Sequence, residues 1–235
     1  MRDAEIIATL AALVEGRPSR GFWSCRKQFL RQEHPWNHKR IYRVYKLMNL
    51  NLRRRAKQRL PKRHRVELYA PILPDKVWSA DLMSDALQTG KRFRTFNITD
   101  DFNREVLNIE IDTSITSQRL VRLFERPRSE YGLPEVLRTN NGPGFLRDAF
   151  TEWAKEAGMA IQYIQPGKPN QKAYIERFNR TYREEVLDQY LFTSLDHVRE
   201  ATWLWMIDYN EERPHNALGY LTPLEMRQQA VGNSS

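Results

Sequence analysis

Residues 77–112 read VWSADLMSDALQTGKRFRTFNITDDFNREVLNIEID, and this run decides the fold. Val77–Met83, Phe93–Thr99 and Glu105–Asp112 are rich in β-branched and aromatic residues and read as strands. The third sets Val106, Asn108, Glu110 and Asp112 on one face against Leu107, Ile109 and Ile111 on the other. Short connections between consecutive strands predict an antiparallel meander. Toward the C-terminus the period changes. A helix is predicted over Thr116–Tyr131, a strand over Glu135–Thr139, a helix over Phe145–Ala157 and a strand over Ala160–Gln165. That alternation implies a mixed sheet with helices on its faces. The loop Pro166–Gln171 leads into a long helix from Ala173 to about Leu187, and another follows from Ser194 to about Asn210. Pro127 falls within a predicted helix, where an interior proline costs roughly 3 kcal/mol.

Toward the N-terminus the pattern is helical. Ile6, Ile7, Leu10 and Leu13 recur at helical spacing, and Gly16-Arg17-Pro18-Ser19 ends that helix. A second helix is predicted over Phe22–Gln32 and a third over His38–Met48, with Ile41, Val44, Tyr45 and Met48 on one face and Lys39, Arg40, Arg43 and Lys46 on the other. Helices of this length joined by short turns suit a helix-turn-helix. From Asn51 to Arg65 the chain reads NLRRRAKQRLPKRHR, a basic arm without apolar periodicity, and Pro71 and Pro74 mark the boundary beyond it. The expected organisation is a helical module over 1–50, a basic linker over 51–75, an α/β core over 76–190 and a helical extension over 191–235.

The 235-residue chain carries a formal net charge of +9, unevenly distributed. Residues 1–75 hold 18 Lys and Arg against 6 Asp and Glu, while residues 76–235 hold 20 against 23. A local surplus of that size suits a polyanion, because each neutralised phosphate releases counterions. The apolar runs are far shorter than the roughly 20 residues that span a bilayer, and the first ten residues lack the plan of a secretory signal, so a cytoplasmic, nucleoid-associated protein is expected. The single cysteine, Cys25, excludes an internal disulfide and a multi-cysteine zinc site; it reads as a small buried or half-buried residue.

Three polar positions stand at or near the ends of predicted elements. Asp81 interrupts the apolar strand in Trp78-Ser79-Ala80-Asp81-Leu82, Asn140 follows a strand in Arg138-Thr139-Asn140-Asn141-Gly142, and Glu176 lies on a helix in Ala173-Tyr174-Ile175-Glu176-Arg177-Phe178-Asn179. Together, with 35 residues between Asn140 and Glu176, they resemble the OrfB-type transposases of the IS-three insertion sequences. Further matching text stands at Trp36–Arg43, at Asp208-Tyr209-Asn210, at Arg213-Pro214-His215 and at Leu218–Pro223. The resemblance implies an RNase H-like integrase core with a mixed five-stranded sheet, of the retroviral-integrase superfamily. It also implies DNA cleavage and strand transfer on double-stranded element ends and target, self-association on DNA, and possible fusion to an upstream helix-turn-helix and coiled-coil frame.

Two Mg2+ or Mn2+ ions are the cofactors implied, because hard cations seek carboxylate oxygens and a pair of them stabilises both oxygens of an in-line displacement. In the resemblance, Asp81 bridges both ions, an acid at position 140 completes one site and Glu176 the other. Lys39, Arg40, Arg43, Arg53, Arg54, Arg55, Lys168 and Lys172 are the candidate DNA contacts. This chain departs from the pattern at Asn140, where the family has Asp, at Gly144, where it has Glu, and at Lys172, where it has Asn. An amide keeps one carbonyl ligand but removes a full negative charge, so impaired cleavage is expected, with a catalytically inactive DNA-binding remnant as the alternative. Asp85, Asp100 and Asp101 are nearby acids whose preferred reading is turn capping and hairpin geometry.

Overall fold

The computed structural model describes residues 3–15, 20–51, 71–164 and 173–232. The chain divides into two compact units, Met1–His64 and Arg65–Ser235. In the described residues no helix is long and apolar enough to cross a membrane.

The first unit is built from α1 (Ala4–Glu15), α2 (Phe22–Arg31) and α3 (His38–Leu47). Ile6, Leu10, Cys25, Phe29, Ile41, Val44 and Tyr45 form its buried core. All three helices contribute, at separations of three or four residues within each, the spacing that turns a stripe inward. Asn37 starts α3 by accepting the Lys39 N–H at 2.9 Å, satisfying one of the donors that a helix start leaves unpaired. Cys25 is buried, and burial pushes its thiol up to about 11, so it is a packing residue.

The second unit holds a five-stranded sheet in the order β3-β2-β1-β4-β5, formed by β1 (Val77–Ala86), β2 (Arg92–Asp100), β3 (Val106–Asp112), β4 (Val136–Thr139) and β5 (Ala160–Tyr163). The first three pair antiparallel, as the meander requires, and β1–β4 and β4–β5 pair parallel. One face carries α4 (Ser117–Tyr131), α5 (Pro143–Leu146) and α6 (Asp148–Glu156) over a core of Trp78, Phe96, Phe124, Phe145 and Phe150. The other carries α7 (Ala173–Tyr182) and α8 (Leu195–Ile207) over Phe93, Ile109, Phe178, Tyr182 and Trp205. A last helix, α9 (Pro223–Gly232), docks through Arg227, which pairs with Asp75 at 2.6 Å and Glu105 at 2.5 Å.

The structure corrects the sequence reading in several places. The alternation expected for β3 breaks at its start, because the pairing steps from Ile98↔Asn108 to Thr99↔Val106 and leaves Leu107 as a bulge. Val106 therefore packs on the same side as Ile109 and Ile111, and Leu107 on the other. The single helix expected over 145–157 is two, α5 and α6, separated by extended Arg147 (φ −78°, ψ 144°). Both long C-terminal helices end in π-helical turns, Arg183–Leu187 after α7 and Asp208–Glu212 after α8. Pro127 does not interrupt α4, which runs through it to Gly132 (φ +83°). That residue takes the positive φ for which a Cβ is penalised.

Candidate functional site

Strand alternation places Asp81. Trp78 and Ala80 face the aromatic core under α4, so Ser79, Asp81 and Met83 face the α7–α8 side, where Met83 packs. Parallel pairing then places Asn140. Ser79 of β1 lies beside Arg138 of β4, and two further residues along each strand direction bring Asp81 and Asn140 together. The Asn140 Nδ2 donates to Asp81 Oδ1 at 2.9 Å, and the Asn140 Oδ1 accepts the Gly142 N–H at 2.9 Å. A backbone N–H can only donate, so the turn fixes which end of the amide meets the carboxylate. Gly142 has its own steric reason, since a Cβ there would lie 2.8 Å from the Asn140 Oδ1.

The second oxygen of Asp81 is served from α7. Asn179 Nδ2 donates to Asp81 Oδ2 at 2.7 Å, and Asn179 Oδ1 accepts from Asn97 Nδ2 at 2.7 Å. Asn97 stands directly opposite Asp81 in the β1–β2 register. Asp81, Asn97 and Asn179 are all buried, and the chain of amides holds the carboxylate in one orientation. Glu176 is exposed and precedes Asn179 by three residues on α7. Residues three apart share a helix face, with Cβ atoms about 5–6 Å apart, so Glu176 stands on the face from which Asn179 reaches Asp81.

Asn97, Gly142 and Asn179 were absent from the site predicted from sequence. Each left a signal. Asn97 is a polar residue between Phe96 and Ile98 in a strand, Gly142 sits two residues after a side chain that must be oriented, and Asn179 is polar beside Ile175, Phe178 and Tyr182 on a helix whose apolar side is buried. The matching segments near the C-terminus are architectural. Asn210 accepts the Val106 N–H and donates to the Val106 carbonyl, both at 2.9 Å, so its amide completes the ladder beside the β3 bulge. Arg213 pairs with Glu185 at 2.6 Å, and burial, with Arg213 beside it, lowers His215 to about 4.

The nearby acids have other partners. Asp85 pairs with Arg183 at 2.9 Å and Asp101 with buried Arg138 at 2.7 Å. Asp100 accepts the Asp75 and Phe102 N–H groups, each at 2.7 Å, as a turn-capping residue does, and burial outweighs those donors and pushes it up to about 7. Gly144 packs under α4, where a Cβ would meet Leu120 Cδ1 at 3.1 Å. Lys39, Arg40 and Arg43 lie on α3 in the first unit, where Arg40 and Arg43 pair with Asp3 at 2.8 and 2.5 Å. Arg53, Arg54, Arg55, Lys168 and Lys172 lie outside the described residues.

Among the described residues no group of three or more His, Cys, Asp or Glu side chains could hold a metal ion. Asn140 turns an N–H toward Asp81, where a cation between the two side chains would need a lone pair. The donor set therefore does not fit the pair of divalent ions that three carboxylates would hold.

Two family profiles, both described as Integrase core domain, match residues 73–169 and 157–223. The chain is similar to an uncharacterized 31.7 kDa protein of insertion element IS407 from Burkholderia multivorans, 42% identical over 80% of this chain and 68% of that one. It is also similar to an uncharacterized 39.2 kDa protein of insertion element IS476 from Xanthomonas euvesicatoria, 39% identical over 83% of this chain and 57% of that one. Of the second relative it thus spans little more than half the length. The fold is that of the HTLV-2 integrase catalytic core domain solved in complex with magnesium, with a TM-score of 0.55 at 21% identity over 66% of this chain and 98% of that one. The sheet order, the placing of Asp81 on one strand and of Asn140 just past the end of its parallel neighbour, and the extent of these matches agree, and the chain belongs to the integrase-core transposases of insertion sequences, of the IS-three type.

Proposed function

We propose that this chain is a DNA-binding transposase subunit of the strand-cleaving and strand-joining class whose carboxylate centre is impaired by Asn140. Asp81 and Glu176 are the retained acids. Asn140 takes the place of the third, and Asn179 and Asn97 position Asp81. The observation that carries this reading is the 2.9 Å hydrogen bond from Asn140 Nδ2 to Asp81 Oδ1. Two carboxylates at that separation would repel and would call for a cation between them. An amide instead donates a hydrogen bond to the carboxylate, which removes the repulsion and leaves a single negative charge where two would stand.

The chemistry of the class supports the DNA part of the proposal. Phosphodiester transfer needs negative charge to gather divalent cations at the reacting phosphate, and positive charge elsewhere to hold the strands. The sequence divides its charge in that way, with the +12 excess of residues 1–75 kept apart from the segment that carries Asp81 and Glu176. Self-association on DNA and fusion to an upstream frame belong to the same proposal.

The test is a nicking assay on supercoiled DNA with Mg2+ or Mn2+, comparing the chain with Asn140→Asp. Nicking by the chain itself should be slow or undetectable, and the variant should nick at least about a hundredfold faster, about 2.7 kcal/mol of transition-state stabilisation at 1.36 kcal/mol per tenfold. Equal rates would exclude position 140 as part of the reacting centre. Binding of both forms to the same DNA, with nicking only by the variant, is the outcome that fits.

A further inference from the structure

Unit Met1–His64 contains a cleft that its own packing does not account for. A cavity of about 650 Å³ opens between the first turn of α2 and the N-terminal half of α3, lined by Phe22, Trp23, His38, Lys39, Tyr42 and Tyr45 among others. That size is typical of clefts that take small organic groups, about 300–1,000 Å³. Phe22 stands at its centre, edge-on to Trp23, Tyr42 and Tyr45 with ring centres 5.1, 4.8 and 5.6 Å away. Tyr45 belongs to the buried core, but Trp23 is 57% and Tyr42 42% exposed. Large aromatic rings are thus held at an open mouth by a rigid base.

The charge around those rings is of one sign. The Arg26 guanidinium lies 5.7 Å from the centre of the Trp23 ring, and the Lys46 ammonium lies 5.7 Å from that of Tyr42. Lys39 lines the cavity itself, and no acid does. Residues 22–47 hold seven Lys and Arg against one acid, Glu33. Of the three basic residues on α3 expected to meet DNA, Arg40 and Arg43 are engaged by Asp3, whereas Lys39 looks into the cleft.

A duplex hides the faces of its bases in the stack and offers only their edges and its phosphates. A concave aromatic surface with cations at its rim matches the opposite case, a base taken out of the stack with its phosphates still attached. We propose that the cleft between α2 and α3 receives an unpaired nucleobase of a DNA strand, stacked against Trp23 and Tyr42, with Arg26, Lys39 and Lys46 near the flanking phosphates. This inference rests on the DNA-binding reading above and adds a ligand and a site to it.

The test measures binding of the full chain, by fluorescence anisotropy, to a labelled duplex with one extrahelical base and to the same duplex fully paired. The chain should prefer the first by about tenfold, within the range that stacking one base on an aromatic side chain accounts for. Trp23→Ala should remove the preference while leaving affinity for the paired duplex unchanged, and Trp23→Phe should keep most of it. Trp23 is largely exposed, so the alanine variant should still fold, and its circular dichroism checks that. Absence of a preference in the unaltered chain, or a preference that survives Trp23→Ala combined with Tyr42→Ala, would overturn the proposal. So would variants that alter sedimentation of the DNA-free chain and leave DNA affinity untouched, since that assigns the cleft to a second copy. A chain that binds neither duplex would instead remove the DNA-binding reading itself, and this inference with it.

Discussion

Two groups of acids in the second unit are stabilised in opposite ways. Around α9, Asp75 and Glu105 close on Arg227 at 2.6 and 2.5 Å, with Asp100 at 3.6 Å. Around β1, both oxygens of Asp81 accept from side-chain amides, those of Asn140 and Asn179. A guanidinium brings fixed positive charge and a planar fork of donors, so acids gathered on it are locked in as structure. An amide brings a donor without charge, which orients a carboxylate but leaves its negative charge in place. The Arg227 clamp thus carries fixed positive charge, and the two amides that reach Asp81 carry none.

The largest effect should come from making the first cluster resemble the second. Arg227→Gln replaces the guanidinium by an amide and leaves Asp75, Asp100 and Glu105 facing one another, so unfolding in urea should show a loss of about 3–5 kcal/mol, the usual cost of removing one partner from a buried ion pair. A loss below about 1 kcal/mol, the worth of an exposed pair, would mean that the cluster does not depend on fixed charge.

Asn140→Asp makes the reverse change and should cost less. In chelator the variant should be less stable than the unaltered chain by about 1–3 kcal/mol, because a satisfied amide–carboxylate bond becomes two facing carboxylates. Mn2+ should recover that loss in the variant and shift the unaltered chain much less. Thermal melts of both proteins with and without Mn2+ read this directly, and equal shifts would remove the distinction between the two forms of the site.

The smallest effect is in pH dependence, where two buried groups act with opposite sign. Asp100 is raised to about 7 by burial from an ordinary 3.8, so between those values the folded chain holds a proton that the unfolded chain has released, and stability falls as pH rises from about 4 to about 7. His215 is lowered to about 4 by burial from 6.5, so the unfolded chain takes up a proton that the folded chain refuses, and stability rises from about pH 4 to about 6.5. Asp100→Asn should therefore tilt the stability profile upward over that window and His215→Gln downward. Profiles parallel to that of the unaltered chain would remove both groups from the balance.

Part of the fold and of the candidate site was legible in the sequence, for reasons that differ by residue. Asp81 and Asn140 were singled out by the motif resemblance and the 35-residue spacing to Glu176, since a strand-interior acid and an Asn-Asn-Gly turn are each weak signals alone. The Arg227 clamp was not, because its partners lie 152 and 122 positions away in Asp75 and Glu105, and local spacing carries no trace of such a contact. The β3 bulge was missed since VLNIEID alternates acceptably in either phase, and the choice is made by Asn210, which takes both backbone groups of Val106. The π turns after α7 and α8 follow from tertiary contacts such as the Trp205 and Arg213 bonds to Glu185, which no helical propensity foretells. The basic face of α3 was legible in composition, but the capture of Arg40 and Arg43 by Asp3 was not.

The turn at Gly142 has a consequence for ancestry. Its N–H grips the Asn140 Oδ1, and an aspartate would offer the same oxygen in the same place, so the scaffold that aims the side chain survives whichever residue it aims. The two forms differ by one atom, oxygen for nitrogen. In the proposed reading the turn keeps the mould of an acidic centre, and Asn140→Asp refills it without any new scaffold.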